Sequence, residues 1–230
     1  MERRIFVLVG GSNFRGGWTV YQSRQDADKF VALIEKILPN AQVTKLLDRD
    51  YTRARILQSV ANLANKLQNG DTLIMYFAGH GTQVPDLDKE ESDGMDEALQ
   101  TDDFQTVIDD ELTLPFVREF QERDLHCRLI SIADTCHSPS FDMWRFLNTR
   151  INAISIKAAL DNQSALQSGD GSYMSSYLFS MLDKWEQNKA FTVQQWFERL
   201  QTDMQEGFAG TMQACLIEVS DEKLWDESLF

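Results

Sequence analysis

At 230 residues, with 43% hydrophobic and 25% charged side chains, the chain has an ordinary globular composition and enough length to bury the core of one large domain. Its 36 acidic residues against 22 basic ones leave a net charge of −14, which argues against nucleic acid and anionic membrane as partners and for a basic peptide or a cation. No stretch reaches transmembrane length, the apolar run at 5–9 is too short for a signal peptide, and Cys127, Cys136 and Cys215 form no CxxC pair, so a cytoplasmic protein without structural zinc or a disulfide framework is expected.

Residues 4–10 read as the first buried strand. The glycine-rich stretch at 10–17 (GGSNFRGG) has neither the GxGxxG spacing nor a Lys-Ser/Thr after Gly17, and reads as a flexible loop. A helix is predicted next, with Ser23 as N-cap, Asp26 three residues on, and Phe30, Leu33, Ile34 and Ile37 on one face. Residues 41–47 read as a short strand. Residues 52–68 read as a second helix, with Ile56, Val60, Leu63 and Leu67 toward the core and Gly70 as its stop. An apolar run at 73–78 (LIMYFA) then leads into GHGTQ. The acidic stretch at 85–103 has no useful periodicity and reads as a surface loop. Asp109 or Thr113 caps a third helix, with Pro115 in its first turn and Phe116, Val117 and Phe120 apolar. A second apolar run ends in DTCHS, residues 151–156 alternate weakly as a strand, residues 175–185 and 193–204 read as helices, and 212–218 as a last strand. Alternating strands and helices without repeats predict an α/β sandwich around a largely parallel sheet of about six strands, with no domain boundary over 1–230.

Two strand ends carry reactive side chains. A buried parallel strand reads as an apolar run, and open α/β sheets place their chemistry at the carboxyl ends of such strands. The run at 129–133 ends in Asp134, Thr135, Cys136 and His137; the run at 73–78 ends in Gly79, His80 and Gly81. A thiol that loses its proton to an imidazole becomes a strong nucleophile, so Cys136 and His80 form a candidate pair. His137 competes as the base, but adjacent side chains on an extended strand point to opposite faces. Cys127 and Cys215 read as small buried apolar residues.

GHGTQ, DGMDEALQTDD, IDDEL and DTCHS, in that order, resemble the motifs of the metacaspases of the caspase-like peptidase clan. They span residues 78–140, and weaker likeness extends to the first helix and to AALDNQ at 158–163. The QAC[RQG]G signature of true caspases is absent. The resemblance implies a caspase-like three-layer α/β/α fold and a cysteine peptidase that cuts proteins or peptides after Arg or Lys. His80 then matches the general base and Cys136 the nucleophile. The backbone N–H groups of Gly81 and Cys136 match the oxyanion hole. Asp134 matches the acidic floor of the primary pocket, where a carboxylate attracts a basic side chain and repels an acidic one. Asp26, in Gln25-Asp26-Ala27 where the family has Asn-Asp-Ala, matches a second pocket acid; the alternative is a capping-box carboxylate paired with Ser23.

The resemblance also implies calcium as an activator. Asp96, Asp109 and Asp110 match three of the family's ion ligands and Asp142 a fourth. Hard oxygen donors from separated loops suit Ca²⁺, whereas an EF-hand register would put Lys89 and Gln100 at ligand positions. The alternative is a solvated acidic loop with Asp109 as a helix cap. Two positions depart from the pattern: Ala78 stands where the family has Ser, and Pro139 where it has Gly. Arg145, Arg150 and Lys157 are conceivable self-cleavage points. No fused regulatory domain is evident, which suggests control by calcium, processing or a separate partner. The rivals to a peptidase of this type are a catalytically silent caspase-fold interaction module and a peptidase of altered specificity. A nucleotide-binding sandwich fails on the glycine spacing.

Overall fold

Long apolar runs need cover on both faces, and the chain provides it. The computed structural model describes residues 3–13, 22–87, 94–136, 152–159, 165, 167–168, 171–207 and 216–230. Its strands are β1 (Ile5–Gly11), β2 (Gln42–Leu47), β3 (Thr72–Ala78), β4 (Gly81–Pro85), β5 (Met95–Gln100), β6 (Thr106–Ile108), β7 (Arg128–Asp134), β8 (Asn152–Lys157), β9 (Gln167–Ser168), β10 (Gly171–Ser172) and β11 (Leu216–Val219). The helices are α1 (Ser23–Ile37), α2 (Arg53–Lys66), α3 (Asp109–Arg123), α4 (Tyr173–Asp183), α5 (Trp185–Asn188) and α6 (Val193–Gly207). The six-stranded sheet runs β11-β8-β7-β3-β1-β2, parallel throughout except for β11, which pairs antiparallel with β8 at the edge.

Every residue of β3 is buried. Leu73, Met75 and Phe77 pack with residues of α2 and α3, while Ile74, Tyr76 and Ala78 pack with those of α1, α4 and α6. This alternation makes three layers, helix, sheet and helix. Tyr76 stacks on Phe30 of α1 with ring centroids 4.4 Å apart and 14° between planes, an offset arrangement that aromatic pairs favour. Gly10 and Gly11 belong to β1: a methyl group at Gly10 would meet the Tyr51 and Phe77 rings, and one at Gly11 the Ala27 side chain 2.7 Å away. The glycine-rich stretch therefore begins inside the sheet, while 14–21 lie outside the described residues.

Several expectations change at element ends. Helix α1 begins at Ser23 itself, with Gln22 in the left-handed conformation (φ 77°) as its cap, so the Ser23–Asp26 capping box does not form. Helix α2 starts as expected, with Thr52 accepting from Arg55 N–H at 3.4 Å. Helix α3 starts at Asp109, so neither Asp109 nor Thr113 is the cap; Glu111 reaches back to the Ile108 N–H at 3.3 Å. Pro115 stands in the second turn, not the first. Helix α4 starts at Tyr173, two residues before the expected position. The largest correction concerns 85–103, expected as a loop: Met95–Gln100 is a strand, and β4, β5 and β6 form an antiparallel sheet of their own. Lys157 is 3% exposed, paired on both sides within the sheet, and bridges to Glu218 at 3.1 Å, so it is no accessible cleavage point.

Candidate active site

The pairing of β3 with β7 carries the chain positions of the two candidate residues past neighbouring strand ends. The register sets Thr72 beside Arg128 and Ala78 beside Asp134. His80 follows Ala78 by two residues and Cys136 follows Asp134 by two, so both lie equally far past the last paired position. Gly79 N–H donates to the Asp134 carbonyl at 3.3 Å, which ties the start of one loop to the end of the neighbouring strand. His80 and Cys136 are each half-buried, while their neighbours Gly81 and Thr135 are buried. The Cys136 Sγ stands 3.9 Å from the Ala165 carbonyl oxygen, so the segment after β8 reaches the thiol.

Gly81 backs directly onto the cysteine. A methyl group at position 81 would stand 1.9 Å from the Cys136 carbonyl oxygen and 2.9 Å from Thr135 Oγ1, so only glycine permits this approach. Gln100 N–H donates to the His80 carbonyl at 2.9 Å, which makes His80 and Gln100 a hydrogen-bonded pair. Pairs alternate along an antiparallel ladder, so Gly81, opposite Leu99, directs its N–H away from β5. Strand β4 is the edge of its sheet, and that N–H faces the open side.

The two pocket candidates also converge. Asp134 and Asp26 are each 1% exposed. Ser172 bridges them: its N–H donates to Asp26 Oδ2 at 2.9 Å and its hydroxyl to Asp134 Oδ1 at 2.6 Å. Ser175 donates its hydroxyl to Asp134 Oδ2, and Tyr76 lies 2.6 Å from that serine oxygen. A methyl group at Gly171, where φ is +125°, would stand 2.5 Å from Asp26 Oδ1. Burial pushes the Asp134 carboxyl up to about 6; neighbouring Asp26 adds to this, and the Ser172 and Ser175 bonds work against it. Burial likewise raises Asp26, against the Ser172 N–H and the Lys29 ammonium. Burial also holds the Tyr76 phenol well above its usual range, with Asp134 and Asp26 adding to the effect.

Comparison with known proteins gives the family. The family model described as metacaspase, peptidase C14 domain, matches residues 21–143, more than half of the chain. The chain belongs to the metacaspase family. It is 41% identical over 90 residues to Metacaspase-1 of Cryptococcus neoformans, a stretch covering 38% of this chain and 19% of that protein. It is 38% identical over 95 residues to Metacaspase-1 of Saccharomyces cerevisiae, covering 40% of this chain and 21% of that one. The matched stretch thus spans about a fifth of these relatives' length. A crystal structure of a Geobacter sulfurreducens protein superposes with a TM-score of 0.72 at 19% identity, covering 99% of this chain and 98% of that one, and shows the fold. No helix among the described residues is long and apolar enough to cross a membrane.

Three of the acids expected as calcium ligands lie on β5 and at the start of α3. Asp96 stands two residues before Ala98 on β5, Ala98 pairs with Ile108, and Asp109 and Asp110 follow Ile108 at the start of α3. The three share one corner of the small sheet. Among the described residues, however, no three acidic, histidine or cysteine side chains form a group that could hold a metal ion. Asp142, the fourth matched acid, lies outside the described residues, as do His137, Pro139, Arg145, Arg150 and Cys215. Cys127 is buried, and its thiol, donating to the Gln68 carbonyl at 3.2 Å, is pushed up to about 12 by burial and by Asp71; it is an inert core residue.

Sequence reasoning missed Ser172, Ser175 and Tyr76. Ser172 had a local signal, since a Gly-Ser pair before an apolar helical run is an N-terminus, and helix N-termini attract carboxylates. Tyr76 had none, being one apolar residue of a buried strand.

Proposed function

We propose that this metacaspase-family chain is a cysteine endopeptidase that cleaves proteins or peptides after Arg or Lys. The observation that carries the proposal is the β3–β7 register, which sets His80 and Cys136 equally far beyond Ala78 and Asp134 with Gly81 packed against the cysteine. Cys136 gives its proton to His80, and the thiolate attacks the carbonyl carbon after the basic residue, forming a carbon–sulfur bond. The carbonyl electrons move to oxygen, where the N–H groups of Gly81 and Cys136 receive the charge; each such donor is worth about 3 kcal/mol of barrier. His80 returns the proton to the leaving nitrogen as the carbon–nitrogen bond breaks. Water, deprotonated by His80, then displaces the thiolate from the acyl-enzyme, releasing the new carboxyl group.

Asp26 and Asp134 form the floor of the primary pocket in this reading. Two buried carboxylates favour a guanidinium or ammonium group and repel an acidic side chain. Calcium is proposed as an activator on donor chemistry alone: Asp96, Asp109, Asp110 and Asp142 offer hard oxygen ligands of the kind Ca²⁺ takes, and no catalytic step depends on the ion. A separate protein partner that controls activation belongs to the same proposal. The test is hydrolysis of matched fluorogenic peptides ending in Arg, Lys or Asp, with calcium or chelator, by wild type and Cys136→Ala. Cleavage after Arg and Lys only, lost in the variant, supports the reading; turnover that survives Cys136→Ala, or a preference for Asp, overturns it.

A further inference from the structure

One short segment, Gly171 to Ser175, touches both pocket acids although they come from α1 and from the end of β7. A serine that precedes a helix ordinarily caps it, its oxygen accepting from a backbone N–H of the first turn. Ser172 precedes α4 but makes no such bond. Its hydroxyl donates to Asp134 instead, and Asp134 accepts the N–H of Ser175 as well as its hydroxyl. The pocket acid therefore caps α4 from another element, and the positive end of that helix faces both carboxylates. Ser175 has one hydroxyl proton and spends it on Asp134, so Tyr76 is the donor in its contact with Ser175.

The acceptor inventory of the pair is uneven. Both oxygens of Asp134 are engaged, and Oδ2 of Asp26 takes the Ser172 N–H. Oδ1 of Asp26 is buried and accepts no hydrogen bond among the described residues; the Lys29 ammonium, itself half exposed, stands 3.8 Å away. Two like charges in one buried place drive each other toward neutrality unless donors hold them ionised. Ser172 is the residue whose donors reach both.

We propose that Ser172 is the positioning residue of the cation pocket: it fixes Asp26 and Asp134 relative to each other and holds both ready for a basic side chain, so that discrimination between a charged and an uncharged side chain depends on it. This rests on the reading of Asp26 and Asp134 as the pocket floor. Ser176 supplies the control, because its hydroxyl bonds the Ser172 carbonyl at 2.7 Å at the same helix start but touches neither acid in the hydrogen bonds of the described residues.

The experiment compares peptides ending in Arg with the same peptides ending in citrulline, which has the shape of arginine without its charge. Wild type, Ser172→Ala, Ser175→Ala and Ser176→Ala are assayed between pH 5 and 8. In Ser172→Ala the Arg-to-citrulline ratio of kcat/KM falls about tenfold, as expected for one lost charge-assisted bond. The loss falls on KM, and the pH at which KM improves moves upward. Ser175→Ala shows the same direction, and Ser176→Ala keeps the wild-type ratio. A ratio and pH profile in Ser172→Ala equal to wild type, or an equal loss in Ser176→Ala, overturns the positioning role and leaves the peptidase reading standing. A wild type that does not distinguish arginine from citrulline overturns the acidic pocket and this inference together.

Discussion

Asp134→Asn should stabilise the fold at neutral pH while removing the preference for basic substrates that the proposed function assigns to this pocket. The Asp134 carboxyl is pushed from 3.8 up to about 6, chiefly by burial. Its folded-state value is raised, so the folded protein holds the proton more tightly than the unfolded chain. Stability from this group is therefore greatest at low pH and is lost as pH rises from about 4 to about 6. The full penalty above that window is about 3 kcal/mol. Asparagine carries no charge and avoids the penalty, but its amide nitrogen cannot accept one of the two serine hydroxyls, which costs about 1 kcal/mol. The variant should then exceed wild type by about 2 kcal/mol at pH 7.5, or roughly 4–8 °C in melting temperature for a chain of this size. At pH 4 the advantage should vanish or reverse. Urea denaturation of both proteins from pH 4 to 8 measures the difference, in which the other titrating groups cancel apart from coupled Asp26. A difference that stays flat across the range, or a variant less stable at pH 7.5, would refute the claim that burial strains this carboxylate. The opposite signs for stability and function are what a site built from desolvated charge should show.

Three further outcomes follow from the same geometry. With an arginine peptide, KM of the wild type should fall as pH rises through about 6, because in the proposed pocket Asp134 attracts a cation only when ionised; a KM independent of pH between 5 and 7.5 contradicts this. Gly81→Ala forces a methyl group into the Cys136 carbonyl and, with Gly81 as the proposed oxyanion donor, should lower kcat by about 10²-fold or more, read in the standard peptide assay. Phe77→Ala removes a fully buried ring between the sheet and the α2–α3 layer and should destabilise by about 3–5 kcal/mol in urea unfolding, while Phe104→Ala, at 75% exposure, should change stability by less than about 0.5 kcal/mol.

The chain's local chemistry determined the central strands and where they end. Residues 73–78 and 129–133 are continuous apolar runs because a parallel strand is covered on both faces, and a polar residue can appear only where the strand leaves that cover; His80 and Cys136 stand out as candidates for this reason. The helix faces of α1 and α2 were legible because a 3.6-residue period lies within a single segment. Met95–Gln100 was not, since it holds Asp96 and Glu97 and reads as acidic loop; Glu97 is buried by pairing opposite Gln83, whose amide donates to it at 3.1 Å, and a sequence window contains no partner strand. The Ser172 bridge between Asp26 and Asp134 was hidden for the same reason. Asp26, Asp134 and Ser172 are separated by more than a hundred positions from first to last, and their hydrogen bonds exist only once α1, β7 and the start of α4 meet. Periodicity and burial are properties of a segment and can be read from it; register and side-chain partners across elements belong to the assembled chain, and here the tertiary structure alone decided them.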